Sequence, residues 1–153
     1  MQIINYFLAS IISYLGLLLG IILIKIAPEE QKPGKKYFTL LKKITFFFIV
    51  FFILIFYKLN IVILFIILFL LLFMLLNKKI KLEKSPLVYF IFGTILYIGK
   101  IDINLFIIES VLIFLYGVPE ASSTFNIKKK NYKDIFLKNL LFFIPIILLY
   151  FIF

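Results

Sequence analysis

The sequence contains no cysteine and no histidine, and it also lacks tryptophan and arginine. Without these side chains, disulfide bonds, thiolate nucleophiles, zinc sites built on Cys or His, and imidazole acid–base catalysis are all excluded. These absences exclude a zinc site, and no pattern in the sequence predicts a resident metal or a cofactor. Any chemistry has to come from carboxylates, lysines, hydroxyls and amides.

Apolar residues dominate what remains. Hydrophobic residues make up 65% of the 153-residue chain, and 21 residues are phenylalanine, whereas a soluble domain has about 45–50% apolar residues. A soluble fold of this length could not bury so much apolar surface. The composition predicts an all-α membrane protein, with membrane lipids as its main surroundings.

The net charge of +10 raises the question of a nucleic-acid partner. A nucleic-acid binder needs a folded domain that exposes a basic face, and no polar stretch of this chain is long enough to form one. We interpret the lysines as loop residues flanking membrane helices, and we expect no nucleic-acid partner.

About 20 apolar residues are needed for a helix to cross the hydrocarbon core. The chain, taken as a single domain over 1–153, predicts a bundle of about six segments, of which the fourth and fifth are short. Each of these two would span roughly 20–24 Å as a helix, so they form either a tilted hairpin or a re-entrant pair. The segments are Ile3–Ile26, Tyr37–Tyr57, Leu59–Leu76, Leu87–Gly99, Ile103–Val118 and Asp134–Phe153.

Lysine placement predicts the orientation of the bundle. Of the 17 lysines, 15 flank or fill the first, third and fifth loops, and only Lys58 and Lys100 belong to the second and fourth. Cytoplasmic loops collect basic residues. We therefore predict a multi-pass protein of the cell membrane with lysine-rich loops in the cytoplasm and both termini outside.

Small residues recur along one face of the first helix at helical spacing. Close approach of backbones along small residues is how helices adhere in lipid. This face is interpreted either as an interface with a second copy or a membrane-protein partner, or as a packing seam within the chain. The small residues are Ala9, Ser13, Gly16 and Gly20.

The second and third helices are apolar on nearly all sides, which is typical of a lipid-exposed position. We therefore predict that they form an outer hairpin.

Glu109 lies in the middle of the fifth segment, where a carboxyl group is costly and normally faces protein or water. If the fourth and fifth segments pack antiparallel, Glu109 falls opposite Gly93 and Thr94, and Asp102 can pair with Lys100. The arrangement predicts either a proton- or cation-coupled site or a hydrogen-bonded structural acid. The candidate intramembrane site comprises Glu109, Ser110, Asp102, Thr94, Tyr97 and Lys100.

Charged residues at the lysine-rich side form a second candidate site. Lysines near an anionic lipid surface contribute about 1 kcal/mol each, and paired carboxylates of a lipid-phosphate enzyme could hold magnesium. The alternative interpretation is that these charges only orient the helices. The head-group or phosphate candidates are Glu29, Glu30, Lys35, Lys36 and Glu120.

Three classes of function follow from these patterns. The first is a small transporter or channel-like protein that uses Glu109. The second is a structural or accessory subunit that packs through the small-residue face. The third is a lipid-phosphate-modifying enzyme at the cytoplasmic rim, so the question of enzymatic activity stays open at this point.

Overall fold

A computed structural model describes residues 3–58, 60–76, 85–126 and 131–152, and the regular structure in these ranges is helical throughout. Two short 3-10 turns, Pro28–Glu30 and Asn139–Phe142, lead directly into helices. The helices are α1 (Ile3–Ile26), α2 (Gln31–Phe56), α3 (Ile61–Leu76), α4 (Ser85–Gly99), α5 (Ile103–Thr124), α6 (Tyr132–Lys138) and α7 (Phe143–Ile152).

Four helical stretches are long and apolar enough to cross a membrane: α1, α2 with its preceding turn, α5, and α6 through α7. Helices α3 and α4 are apolar but shorter. The described chain is therefore an all-α bundle with four candidate spans among six apolar segments. We call the end where α1 and α5 finish and α2, α4 and α6 begin the lysine-rich end, and the other the opposite end.

The fifth segment is longer than predicted. Helix α5 runs for 22 residues, with Pro119 inside it, which gives about 33 Å at 1.5 Å per residue. Pro119 and Glu120 were expected to follow the helix because proline removes a backbone hydrogen bond. Both are buried in it, and Thr124 Oγ1 donates to the Glu120 carbonyl at 2.8 Å. The predicted short length of this segment was wrong, since packing against neighbouring helices carries α5 past the proline, and its 22 residues are long enough to cross a membrane.

Helix α2 begins six residues earlier than predicted, at Gln31 rather than Tyr37. Pro33 falls in the first turn of the helix. The backbone nitrogens of that turn have no partner within the helix, so a proline costs little there. Most of the stretch between the first two predicted segments is therefore helical.

Helices α1 and α5 run side by side in the same direction. An added Cβ at Gly16 would collide with the Phe114 backbone, and one at Gly20 would crowd Val118 and Ala121. An added Cβ at Gly117 of α5 would likewise collide with the α1 backbone at Gly16 and Leu17. The glycines of both helices therefore allow their backbones to approach closely.

The small-residue face of α1 is thus occupied within the chain. Gly16 and Gly20 contact α5, Ser13 is buried, and Ala9 packs against the hydrophobic core. Helix α4 packs on another side of α5 and against the C-terminal helical segment. Helix α5 is the central helix, in contact with α1, α2 and α4.

The prediction that α2 and α3 form an outer hairpin agrees with the structure for α3 but not for α2. Helix α3 packs mainly on α2, and none of its described side chains is buried. Helix α2, by contrast, also packs along α5 and buries Lys42, Thr45 and Ile49. A polar face on α2 is therefore turned toward the bundle rather than toward lipid.

Aromatic rings fill the core between α1, α4, α5 and the C-terminal segment. The Phe92 and Tyr116 ring centroids are 4.7 Å apart in an edge-to-face pair. The ring centroids of Tyr89 and Tyr14 are 5.9 Å apart in the same kind of pair. The Tyr14 hydroxyl donates to the Phe136 carbonyl at 2.5 Å. Ring pairs of this geometry stabilise a core by about 0.5–1.5 kcal/mol each, and they bring phenol groups into the interior.

Candidate functional site

Helix α5 carries two fully buried acids, Glu109 and Glu120. Eleven residues correspond to three turns and about 20°, so the two carboxyl groups share a face of the helix, about 16 Å apart along its axis. Tyr116 lies between them on that face and is also buried. The buried side of the central helix is therefore polar at its middle and near its lysine-rich end.

Glu120 forms an ion pair with Lys42 of α2, in which Nζ lies 2.5 Å from Oε2. The Lys42 side chain is 11% exposed and the Glu120 side chain 0%. Tyr89 and Tyr116 interact electrostatically with the same carboxylate. Glu120, expected among the head-group candidates at the rim, is instead the centre of a buried cluster, because α5 continues past Pro119.

The partner of Glu120 could not be identified from the sequence. Lys42 counts among the lysines that flank the first loop, and its position resembles those of exposed neighbours. The sequence did contain one indication, because Lys42 and Thr45 lie one turn apart within an apolar helix. In the structure both side chains are buried. Polar residues at helical spacing in such a helix indicate a face turned toward protein.

Glu109 has no hydrogen-bond partner for either carboxylate oxygen among the described residues. The register of α1 and α5 places it level with Ala9 and Ser10. The Ser10 hydroxyl donates to the Tyr6 carbonyl at 2.8 Å, and the neighbouring Ser110 hydroxyl donates to the Phe106 carbonyl at 2.7 Å. These two hydroxyls are thus engaged with their own helices, and no described residue donates to the buried acid.

The predicted partners of Glu109 on α4 lie elsewhere. Gly93 faces Phe142 and Pro145 of the C-terminal segment, and the Thr94 hydroxyl donates to the Phe90 carbonyl at 3.2 Å. The reason is that α4 turns this small-residue face toward the C-terminal segment, which the sequence alone did not reveal. The predicted contact of Glu109 with Gly93 and Thr94 was wrong.

Asp102 and Lys100 do not pair with each other in the described structure. Asp102 is the N-cap of α5 and accepts from Asn104 N at 2.8 Å and Leu105 N at 3.1 Å, as a residue at the start of a helix commonly does. The Lys100 ammonium lies 3.8 Å from the ring centroid of Tyr97 and 5.0 Å from that of Tyr150. Each charge has a partner other than the one predicted.

A tyrosine cluster completes the opposite end. The buried Tyr6 hydroxyl has no hydrogen-bond partner among the described residues and interacts electrostatically with Tyr97 and Tyr150. The Tyr6 and Tyr150 rings stack at 5.2 Å. Tyr97 was among the residues predicted for the intramembrane site, but Tyr6 was not, since a tyrosine in an apolar helix is most simply interpreted as a core residue.

Polar groups therefore follow the bundle from end to end with interruptions. The Lys42–Glu120 pair and two phenols lie toward the lysine-rich end, Glu109 lies at mid-depth, and the cluster of Tyr6, Tyr97 and Lys100 lies toward the opposite end. We call this set of groups the interior polar line.

Two depressions open at the lysine-rich end. The first, which we call the polar cleft, has a volume of about 370 Å³ and is lined by Gln31, Lys32, Lys35, Ser122, Thr124, Phe125 and Asn126. Among the remaining head-group candidates, Glu29, Glu30 and Lys36 are exposed and do not line it. The second, which we call the amphipathic groove, has a volume of about 600 Å³ and is lined by Pro86, Leu87, Phe90, Thr124, Asn131, Asp134, Ile135, Lys138, Asn139 and Leu141.

Comparisons with protein-family models, with curated proteins and with solved structures found no match for this chain. The functional argument therefore rests on the geometry of the buried groups and of the two depressions.

Proposed function

We propose that this chain is an integral membrane protein that moves protons or small cations across the bilayer, with Glu109 as the group that binds the cation. The observation that carries the proposal is the complete burial of Glu109 in the central helix with no donor for either carboxylate oxygen. Structural acids in a protein interior are hydrogen-bonded, and acids at membrane depth mark ion and proton pathways.

The surroundings of Glu109 support this role. The interior polar line supplies phenol and ammonium groups on both sides of it and the Glu120 carboxyl toward the lysine-rich end, all of which are side chains that can transfer protons. Because α5 contacts α1, α2 and α4, a change in the charge of Glu109 that shifts this helix would alter its packing against all three. In this proposal the lysine-rich end faces the cytoplasm and both termini lie outside.

Ion flux into liposomes tests the proposal. Purified protein is reconstituted into vesicles that contain a pH-sensitive dye, and proton entry is followed under an imposed potassium diffusion potential, with sodium flux measured in parallel. We expect flux above that of protein-free vesicles, lost in Glu109→Gln and kept in the exposed control Glu29→Gln. No flux in the wild type, or full flux in Glu109→Gln, would overturn the proposal.

Stability supplies a second measurement that does not depend on transport. Burying a polar group without a partner costs about 1–3 kcal/mol in proteins. Glu109→Met should therefore raise the free energy of unfolding by about that amount, followed by circular dichroism in detergent. A hydrogen-bonded structural acid would give the reverse result, a loss of stability in the same variant.

A second candidate function is the handling of a phosphate group at the polar cleft, as in a lipid-phosphate-modifying enzyme. The supporting observation is that Gln31, only 6% exposed, lines the cleft together with Lys32 and Lys35. Its Oε1 has no hydrogen-bond partner among the described residues. Phosphorus NMR of vesicles containing phosphatidic acid would detect turnover of the phosphate. Loss of turnover in the Lys32→Gln/Lys35→Gln variant, with Lys36→Gln as control, would support this function, and absence of turnover in the wild type would exclude it.

A further inference from the structure

The amphipathic groove lies between the start of α4 and the segment formed by α6 and the 3-10 turn after it. Its apolar wall is made of Leu87, Phe90 and Leu141, which are 57%, 42% and 39% exposed. Its volume of about 600 Å³ is in the range of small-molecule sites, roughly 300–1,000 Å³. These side chains offer a large apolar surface that the described part of the chain does not cover.

The groove is polar along its other wall. Asp134 and Lys138 of α6 both line it, and both side chains are exposed. They lie four residues apart, the spacing at which opposite charges on a helix commonly interact. In the described structure they form no ion pair with each other, so a negative and a positive group are both presented to an occupant.

The location of the groove favours a lipid. It lies at the lysine-rich end of the bundle, where α4 and α6 begin, and its exposed apolar residues belong to the apolar helix α4 and to the 3-10 turn that follows α6. In a bilayer this is the depth at which head groups meet acyl chains. An occupant that matches the groove has an apolar tail and a head group carrying both signs of charge.

We propose that the amphipathic groove binds a phospholipid of the phosphatidylethanolamine class. The Lys138 ammonium binds the phosphate, the Asp134 carboxylate accepts hydrogen bonds from the primary ammonium, and an acyl chain lies on Leu87, Phe90 and Leu141. This inference goes beyond the proposed ion transport and does not depend on it.

The two charges also argue against the other common head groups. Asp134 repels a head group that carries only negative charge, such as phosphatidylglycerol. The quaternary ammonium of phosphatidylcholine has no N–H group, so it cannot donate to the carboxylate, and charge-assisted hydrogen bonds are the strong ones. Recognition therefore requires both a phosphate and an ammonium with donors.

Native mass spectrometry of the full chain tests this inference. Protein in mild detergent is mixed with equal amounts of phosphatidylethanolamine, phosphatidylglycerol and phosphatidylcholine of identical acyl chains, and bound lipid is counted at increasing collision energy. We expect about a tenfold preference for phosphatidylethanolamine in the wild type, the size expected for one charge-assisted hydrogen-bonded contact. Equal retention of the three lipids would overturn the proposal.

Variants assign the two contacts. Asp134→Asn should remove the preference over phosphatidylcholine, while Lys138→Gln should weaken retention of all three lipids. Lys133→Gln is the matched control, because Lys133 is an exposed lysine of the same helix that does not line the groove. A preference unchanged in Asp134→Asn, or lost equally in Lys133→Gln, would contradict the assignment.

A lipid series on the wild-type protein tests the same contact without any substitution. Successive N-methylation of phosphatidylethanolamine removes one donor at a time and keeps the charge and the chains. Retention should fall step by step toward the value for phosphatidylcholine. A constant retention across the series would show that the ammonium donors are not recognised and would overturn the proposal.

Discussion

The Lys42 ammonium nitrogen lies 2.5 Å from a carboxylate oxygen of Glu120, and this ion pair joins α2 to α5 inside the bundle. Neither side chain is more than 11% exposed. A buried pair gains little over well-packed apolar residues, but removal of one partner leaves an uncompensated charge at a cost of about 3–5 kcal/mol. The pair therefore makes the α2–α5 packing dependent on both residues.

Removal of either partner should destabilise the bundle. We expect Lys42→Met and Glu120→Leu each to lower the free energy of unfolding by about 3–5 kcal/mol, measured by circular dichroism in detergent. The double variant should recover most of this loss, because no charge is then left without a partner. Lys36→Met is the matched control, since Lys36 is an exposed lysine of the same helix; a double variant as unstable as the sum of the single ones would contradict this prediction.

Close packing of α1 on α5 gives a second prediction. An added Cβ at Gly16 meets the backbone of Phe114, which a side-chain rotation cannot relieve. We expect Gly16→Ala to cost about 1–3 kcal/mol, the range for overpacked interiors, in thermal unfolding. At Gly99 the nearest atom to an added Cβ is the Phe106 Cα at 3.5 Å, an ordinary contact, so Gly99→Ala should be nearly neutral. Equal losses in the two variants would argue against this packing.

Apolar runs were sufficient to predict the helical class and most helix positions. The boundaries of α2 and α5 were not predictable in the same way, because prolines were taken as helix ends. Pro33 occupies the first turn of α2, where no helical hydrogen bond is lost. Pro119 lies where α5 packs against its neighbours, and tertiary packing keeps the helix continuous. Local sequence patterns therefore identify the helices, but they carry no information about the tertiary contacts that extend a helix past a proline.

The site was predictable only where a single residue carried the signal. Glu109 is conspicuous as a lone acid in an apolar segment, and the sequence alone singled it out. The pairing of Lys42 with Glu120 depends on how α2 lies against α5, which one sequence does not specify. Likewise, the partners expected for Glu109 on α4 assumed a rotation of that helix, and the structure turns Gly93 toward the C-terminal segment.

The role of Asp102 as a helix cap leads to a third prediction. Its side chain accepts from two backbone nitrogens at the start of α5, and loss of such a cap costs about 1 kcal/mol. Asp102→Ala should lower the free energy of unfolding by about that amount, whereas Asp102→Asn, which caps equally well, should not. If the carboxylate acted through an ion pair with Lys100, Asn would be as damaging as Ala, so unfolding of the two variants distinguishes the roles.

The orientation proposed for the bundle leads to the last prediction. Because the chain has no cysteine, any substitution to cysteine provides a single thiol for labelling. Lys36 is exposed at the lysine-rich end, and Ile101, 82% exposed, lies in the turn between α4 and α5 at the opposite end. In the sequence, 15 of the 17 lysines flank or fill the first, third and fifth predicted loops, so the positive-inside rule predicts that the lysine-rich end faces the cytoplasm.

A membrane-impermeant maleimide should therefore label Ile101→Cys in intact cells, and it should label Lys36→Cys only after the membrane is permeabilised. Complete labelling of both variants in denaturant controls for thiol reactivity, which depends on exposure. The reverse pattern would show that the topology is opposite to the proposed one, with the polar cleft and the amphipathic groove on the outer face of the membrane. Labelling of both variants in intact cells would mean that the two ends are not separated by a bilayer, because α2, α3 and α4 together would then cross it an even number of times.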